Sequence, residues 1–394
     1  MLGLAAAIGA ASGANAGEWG LIGYVAPEVR VFPYGPAFAG QDGRVAWPSI
    51  AVEPEITYEW NNGNDRLTVT PFGRYDAFDS NRSHFDLREA NWLHIGDGWD
   101  VVVGAHEVFW GVAESRHLVN IVNQNDQVED IDEEDKLGQP MVNLNLTGDW
   151  GELGVFVMPY FRERRFHSPD ARLRGPVPVN DDLVTFESDL GRMHPDVAIR
   201  YTTSGNGWGQ WDLGLHYFHG TSREPRLLPA GPVLAPFYEI IDQTGIDLLA
   251  IYDDLQVKLE MIGRFGQGSP FMAVVGGAEY TFFDVAGTGI DVGALLEYNY
   301  DGRDAAAPTT ALDSAIFFGT RLTFNNTQDT NILAGAAIDT GSGATFASIE
   351  AFHRLFDNWR IEAEGRFFAN VSSTDPLAAL AQDDFLQFRL VWFY

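Results

Sequence analysis

The last eleven residues, 384–394, constrain the fold of this chain more than any other stretch. Apolar side chains occupy every second position there: Leu386, Phe388, Leu390, Trp392 and Tyr394. Gln387 and Arg389 lie between them, so one face of a strand would be apolar and the other polar. A soluble sheet would bury the apolar face in a core. A membrane barrel would instead turn it to lipid and keep the polar face in an aqueous lumen.

The same alternation recurs along the chain and predicts about 18 strands of about 10–13 residues, the length that a tilted strand needs to cross a bilayer. The predicted strands are 19–32, 49–60, 66–78, 83–95, 99–110, 139–150, 151–163, 195–203, 209–219, 237–252, 255–265, 271–283, 288–300, 311–324, 330–339, 345–355, 358–370 and 384–394. Short turns alternate with longer connections, as periplasmic turns and extracellular loops do in outer-membrane barrels. The predicted fold class is therefore all-β, a transmembrane antiparallel β-barrel. A soluble sandwich or propeller is the alternative, although no blade-length repeat is found.

The N-terminal stretch differs from the rest of the chain. Residues 1–16 are small and apolar and end in Ala14-Asn15-Ala16, a pattern typical of signal-peptide cleavage. We therefore expect a signal peptide over 1–16, with a disordered tail as the alternative. Because no linker or change of composition divides the remainder, we expect one barrel domain over 17–394.

The composition excludes several classes of function. A formal charge of −30 would repel a phosphate backbone, so we expect no nucleic-acid partner. The absence of cysteine excludes disulfides, a thiol nucleophile and c-type haem attachment. The 27 Phe, 13 Tyr and 11 Trp suit a barrel with aromatic girdles at the membrane interfaces.

Charged side chains within the predicted strands are expected to line the lumen, because an Arg or Lys on the lipid face costs about 2–4 kcal/mol at the bilayer midplane. The predicted pore-lining residues are Arg66, Arg74, Asp76, Arg88, Arg200, Lys258, Glu260, Arg264, Glu297, Arg321, Arg354, Arg360, Glu362, Glu364, Arg366 and Arg389. One interpretation is that they form salt bridges within the wall. The other is an arginine-lined eyelet that sets ion selectivity.

Two loop segments carry further charge. Residues 126–135 hold seven carboxylates, and such hard oxygen ligands suit Ca²⁺. The candidate ligands are Asp126, Glu129, Asp130 and Asp132, without the spacing of an EF-hand. A solvated acidic loop is the alternative.

The second segment is rich in arginine: Arg162, Arg164, Arg165, Arg172 and Arg174. These residues could bind an anionic solute or lipopolysaccharide phosphates by bidentate contacts, or pair with residues 126–135.

Residues 107–116 read EVFWGVAESR, and Asn123-Gln124-Asn125-Asp126 follows. Together with Asn120-Ile121-Val122 before Asn123, this stretch resembles the Trp-Gly-x-x-Glu followed by Val-x-Asn-x-x-Asp sequence of a loose group of Gram-negative outer-membrane porins that includes alginate-export-type channels. The abrupt aromatic terminus also resembles the C-terminal assembly signal of outer-membrane barrels. The resemblance implies a monomeric barrel whose loop after the fifth strand folds inward and constricts the pore. The constricting residues would be Trp110, Glu114, Arg116 and Asp126.

No catalytic motif is evident, since G-x-S-x-G, P-loop and G-x-G-x-x-G patterns are missing. His106-Glu107 begins like H-E-x-x-H, but position 110 is Trp, so we expect no enzyme. We expect an integral outer-membrane channel for passive diffusion of small hydrophilic solutes, anionic ones among them. Its partners would be membrane lipid, lipopolysaccharide and these solutes, with no cofactor apart from Ca²⁺ at the acidic loop. The alternatives are an exporter of an acidic polysaccharide and a structural barrel or sleeve for a partner protein.

Overall fold

The computed structural model describes residues 17–207, 209–311 and 313–394, so the expected signal peptide over 1–16 lies outside the described residues. These ranges form 21 strands: β1 Glu18–Val31, β2 Ala46–Trp60, β3 Asp65–Asp76, β4 Phe85–Ile95, β5 Trp99–His106, β6 Gln139–Gly148, β7 Gly151–Met158, β8 Thr185–Phe186, β9 Asp196–Gly205, β10 Gln210–Thr221, β11 Arg226–Ala230, β12 Val233–Tyr238, β13 Ile240–Tyr252, β14 Leu255–Phe265, β15 Phe271–Phe282, β16 Asp291–Asp301, β17 Ser314–Thr323, β18 Asn331–Asp339, β19 Thr345–Phe356, β20 Trp359–Ala369 and β21 Phe385–Phe393. Within the described ranges, no helix has the length and apolar character that crossing a bilayer requires.

Eighteen of the strands form one closed antiparallel barrel, which confirms the predicted fold class. Each barrel strand pairs with the next barrel strand along the chain, and β21 returns to pair with β1. Tyr24 lies opposite Phe393 and Val31 opposite Leu386 in this closing pair. The remaining strands β8, β11 and β12 form a separate three-stranded sheet.

The connections differ between the two ends of the barrel. Eight short turns lie at the end where β1 begins and β21 ends, which is the periplasmic end of such a barrel. Nine mostly longer connections lie at the extracellular end: L1 (32–45), L2 (77–84), L3 (107–138), L4 (159–195), L5 (222–239), L6 (266–270), L7 (302–313), L8 (340–344) and L9 (370–384).

The outer wall is apolar, as the strand alternation predicts. On β21, Leu386, Phe388 and Trp392 keep 40%, 43% and 39% of their surface exposed on the outside of the barrel. Gln387 points inward and is buried. Because nothing within residues 17–207, 209–311 and 313–394 covers these outer side chains, they form the surface that faces lipid.

Two predicted strands are shorter in the structure, and one is divided. β5 ends at His106 and β7 at Met158, because the residues that follow leave the wall and enter the lumen. The predicted strand 237–252 consists of the end of β12 and all of β13, interrupted at Glu239. Its carboxylate binds Arg226 and its carbonyl accepts the N–H of Ser222, so this residue belongs to the L5 hairpin.

The largest apolar cluster lies inside the barrel. Trp110, Leu118 and Val122 of L3 pack against inward side chains of the wall, among them Phe156 and Phe218. The lumen is therefore filled on this side by a folded loop.

Candidate functional site

L3 crosses the lumen and is fixed to the far wall by Glu260 of β14. This buried carboxylate accepts the backbone N–H groups of Val112 at 2.7 Å, Ala113 at 2.9 Å and Val119 at 3.2 Å. Hydrogen bonds to an ionised acceptor are about twice as strong as neutral ones. Glu260 therefore acts as an anchor for the first half of the loop.

Gly111 allows this close approach. Its φ of +141° lies in the region that favours glycine, and an added Cβ would stand 2.9 Å from Glu260 Oε1 and 3.0 Å from His117 Nδ1. The Trp-Gly pair therefore places a large apolar ring in the cluster and brings the next turn onto the carboxylate.

A second anchor lies on β16. Glu297 accepts the N–H of Glu114 at 2.9 Å, and the N–H and Oγ–H of Ser115 at 2.8 and 2.6 Å. The Glu114 carboxylate continues to Arg321 of β17 at 2.8 Å. Arg116 pairs with Asp301 at 3.0 Å. L3 thus reaches β16 and β17 from its origin after β5.

The acidic half of L3 turns back to the opposite wall, so the alternative of a solvated loop is wrong for its first part, whereas Glu133, Glu134 and Asp135 are exposed. Asp126, Glu129 and Asp130 are all buried. The ion pairs are Asp126 with Arg88 at 2.8 Å, Glu129 with Arg74 at 2.7 Å, and Arg366 with Asp130 at 3.0 Å and Asp132 at 2.8 Å. The lumen-facing arginines therefore neutralise these carboxylates.

The same contacts bear on the candidate Ca²⁺ ligands. Each of Asp126, Glu129, Asp130 and Asp132 already binds a guanidinium group, and they lie on two different arginine clusters. Within the described chain, the three side chains that could share an ion are His84, Asp126 and Glu129, with donor atoms within 4.8 Å of one another. A set of one nitrogen and two arginine-bound carboxylates does not fit Ca²⁺, which takes about 6–8 oxygen ligands.

The structure places all sixteen predicted pore-lining residues on the lumen side of their strands, each with a partner inside the chain. The further pairs are Arg66–Glu59, Asp76–Arg82, Arg200–Asp247, Lys258–Glu279, Arg264–Glu224, Arg354–Asp329, Arg360–Glu362 and Arg389–Glu362, while Glu364 accepts from Gln387. Arg66 and Arg354 lie near the periplasmic turns and remain exposed.

Glu28 of β1 was missed by the sequence analysis and is the centre of the charge network. Its carboxylate lies 2.8 Å from Arg82, 3.0 Å from Arg74 and 3.6 Å from Arg389. Its position on the same strand face as Arg30 was the available signal. Arg82 itself comes from L2, where strand alternation gives no guidance.

The five arginines after β7 do not form one anion site. Arg172 is buried and binds Asp383 at 2.7 Å, and Arg174 donates to the carbonyls of Ala39 and Gly175, both at 2.9 Å. Arg162 pairs with Asp86, Arg164 binds Glu133 at 3.3 Å, and Arg165 lies half-buried. The alternative was that these arginines pair with residues 126–135. Of the five, Arg164 alone does so, through Glu133.

The contacts of Arg172 and Arg174 with L9 and L1 hold L4 across the extracellular mouth. His167 binds Asp79 of L2 at 2.7 Å, and Leu173 packs with Phe32, Trp47 and Phe385 at the tops of β1, β2 and β21. L4 therefore covers the mouth above β1–β4 and β21.

Beneath this cover, a cavity of about 370 Å³ lies between L3 and the wall. Its carboxylates are Glu28, Glu53, Glu55, Glu89, Glu107, Glu129, Asp130, Glu134, Asp135 and Glu364, and its basic groups are Arg74, Arg82, Arg88, Lys136 and Arg389. Ten acids against five bases make the cavity acidic, which differs from the expected arginine-lined eyelet.

Loop groups at this cavity have shifted pKa values. Burial, with the nearby charges of Glu89 and Glu53, raises the pKa of Glu107 to about 8 against the opposing effect of Arg88. Burial and Glu129 raise the pKa of Asp135 to about 6. Burial is the larger cause of both shifts, and the neighbouring carboxylates add to it because like charges held together disfavour ionisation.

The open part of the lumen lies along β18 and β19. Gly335, Ser348 and Glu350 face inward there and stay half-exposed, whereas the inward residues Gln243 and Glu260 of β13 and β14 are buried beneath L3. A second cavity of about 420 Å³, lined by Lys258, Glu279 and Arg321 among others, opens at the periplasmic side of the L3 anchor.

Comparison with known proteins identifies relatives by fold alone. No protein-family model matches the sequence, and no curated protein does. The barrel is similar to Wzi, described as an outer-membrane protein involved in group 1 capsule assembly in Escherichia coli and a carbohydrate-binding β-barrel. That likeness has a TM-score of 0.52 at 11% identity and covers 93% of this chain and 83% of Wzi.

Two porin structures give lower scores. Pseudomonas putida OprB has a TM-score of 0.48 at 9% identity over 96% of this chain and 94% of OprB. A mutant of the Rh. blastica porin has a TM-score of 0.44 at 12% identity over 95% of this chain and 100% of that porin. The narrower resemblance to alginate-export-type channels has no family match. With its closed barrel and apolar outer wall, the chain has the fold of an integral outer-membrane β-barrel, as expected.

Proposed function

We propose that this barrel is an outer-membrane channel for passive diffusion of small hydrophilic solutes, and that L3 sets its narrowest section. The observation that carries the proposal is the anchoring of L3 by Glu260 and Glu297 across a charged lumen. A loop held by backbone hydrogen bonds on one wall and by ion pairs on the other gives a constriction of fixed shape. Solutes would pass along the half-exposed inner face of β18 and β19, which L3 does not cover.

The charge of the cavity favours cationic and neutral solutes over the anionic ones expected from the arginine count. Ten carboxylates against five bases produce a negative potential, which concentrates cations and repels anions in a low-dielectric enclosure. The same charge opposes the exporter of an acidic polysaccharide, because an anionic chain would meet repulsion from the paired and unpaired carboxylates that outnumber the bases of this cavity.

A structural barrel is the second candidate, and a specific observation favours it. L4 covers part of the mouth, and a further apolar cluster of Ala344, Phe368 and Leu377 joins β20 with L8 and L9 above β19. If L4 and the cluster of L8 and L9 stay closed over the mouth, the lumen would be occluded. The extracellular loops would then bind a partner protein. In either case we propose a monomer in lipid and lipopolysaccharide, with no catalytic role.

Single-channel recording of the refolded full chain in a planar bilayer tests the proposal. We use a tenfold KCl gradient with the dilute side near 0.1 M. We expect a steady conductance and a reversal potential whose sign shows that K⁺ passes more readily than Cl⁻. Screening shortens the Debye length to about 3 Å at 1 M salt, so the preference should weaken there. A folded barrel that stays electrically silent would contradict the channel and favour the structural barrel.

A further inference from the structure

The acidic cavity contains more carboxyl groups than its own bases can pair with. Among the residues that the structure describes, five of its carboxylates have no ion-pair partner: Glu53, Glu55, Glu107, Asp135 and Glu364. The bases are all engaged by other groups, with Arg74 and Arg82 on Glu28, Arg88 on Asp126, Arg389 on Glu362, and Lys136 on Asn125. Four of these carboxylates are half-buried and Asp135 is exposed to the cavity, and a partly buried charge without a partner is costly, so the cavity is suited to a cationic ligand.

The arrangement of the free carboxylates selects the shape of that ligand. Glu53 and Glu55 lie on β2 and Glu364 on β20, whereas Glu107 and Asp135 lie at the two ends of L3. Outside the His84 group, no three such carboxylates of the described chain come within 4.8 Å of one another. A single Ca²⁺ or Mg²⁺ needs oxygens that converge to about 2.0–2.6 Å from the ion. Charges on two sides of a cavity instead match a ligand that carries several cationic groups along its length.

Two further features of the lining suit such a ligand. Thr70 lines the cavity, and its buried Oγ1 hydroxyl lacks a hydrogen-bond partner among the described residues. Buried polar groups are normally satisfied, so an unpaired hydroxyl beside a cavity indicates a missing partner. The rings of Tyr24 and Phe72 provide apolar surface between the carboxylates, against which methylene groups could pack.

We propose that this cavity binds a linear organic polycation, a diamine or polyamine, with its ammonium groups on Glu53 and Glu55 at the wall and on Glu107 and Asp135 at L3. The site rests on the proposed function in one respect, since the ligand would be a solute held at the constriction. Binding itself requires only the folded barrel.

The pKa of Glu107 gives the site a pH signature. Glu107 faces Arg88 and Glu89 of β4, Glu53 of β2 and Asp135 of L3, and its pKa of about 8 leaves it mainly protonated at pH 7. A bound ammonium group favours the ionised form, so binding releases a proton. Affinity should therefore rise with pH, by about ninefold between pH 6 and pH 7 for one group with that pKa, a range in which the amines of the ligand stay protonated.

The test is isothermal titration calorimetry of the refolded full chain in detergent micelles at low salt, with spermidine as the probe. We expect Glu53→Gln and Glu107→Gln to weaken binding at least fivefold each, and Glu107→Gln to remove most of the pH dependence. Glu163→Gln is the matched control, because this L4 carboxylate pairs with Arg192 at 2.6 Å outside the cavity lining. Far-UV circular dichroism verifies that every variant is folded.

Three outcomes would overturn the site: no binding of spermidine, equal loss in Glu163→Gln, or methylammonium binding as tightly as spermidine. The result is independent of conductance. An electrically silent barrel that binds spermidine would contradict the channel and retain the site, whereas a conducting barrel that ignores spermidine would contradict the site alone.

Discussion

Single carboxylates on the inner wall control the position of a whole loop. Glu260 and Glu297 each accept two or more hydrogen bonds from L3, so one side chain compensates several backbone donors that would otherwise be buried without partners. A charged residue facing the lumen therefore has a structural role here, even though its strand position alone would equally suit contact with a solute.

We expect Glu260→Ala to lower the free energy of unfolding by about 1–3 kcal/mol or more, because three N–H groups lose their acceptor. Denaturant titration in detergent micelles measures this loss, and single-channel current should become noisier as L3 loosens. Glu59→Ala removes an exposed partner of Arg66 near the periplasmic turn and should change stability by less than about 1 kcal/mol. Equal effects of the two substitutions would show that Glu260 is no anchor.

The barrel wall separates lipid from the aqueous lumen, so side chains on the two faces of neighbouring strands should tolerate a charge differently. Ile349 of β19 lies on the outer face with 38% of its surface exposed, whereas Leu333 of β18 faces the lumen between Arg321 and Glu350. Sequence alternation predicts this difference, because the side-chain period of a strand is two residues.

We expect Ile349→Arg to destabilise the barrel by about 2–4 kcal/mol, the cost of an arginine at the bilayer midplane. Leu333→Arg should cost much less, since Glu350 lies opposite on the neighbouring strand and the lumen is aqueous. Unfolding in lipid bilayers of defined thickness compares the two. A larger loss for Leu333→Arg would reverse our assignment of the faces.

The whole molecule has an asymmetric lumen. L3 and L4 fill the lumen from β1 to the L3 anchors on β14, β16 and β17, and the inner face of β18 and β19 stays half-exposed. In the proposed channel, the width of the permeation path is thus determined by loop packing rather than by the number of strands.

Ser348→Trp should therefore reduce single-channel conductance by roughly half or more, because an indole would occupy the open inner face of β19. Ile349→Trp places the same ring on the lipid face and should leave conductance unchanged. A normal conductance in Ser348→Trp would place the path elsewhere in the lumen.

The sequence alone was sufficient for the barrel. Alternation, turn chemistry and the apolar terminal strand act over a few residues, so all 18 barrel strands were located and the outer face of β21 was assigned correctly. The separation of β12 from β13 was missed, because the apolar pattern continues across Glu239 and only contacts within L5 interrupt the pairing there.

Only the tertiary structure decided what fills the lumen. Whether Asp126 is solvated or buried, and whether Arg172 meets a ligand or Asp383, depends on contacts between residues far apart in the chain. Local patterns show that a charge must avoid lipid, but they do not select its partner. The sign of the cavity charge follows from which residues the fold brings to its lining, which is why counting arginines predicted an anionic solute, whereas we propose a cationic one from the folded lumen.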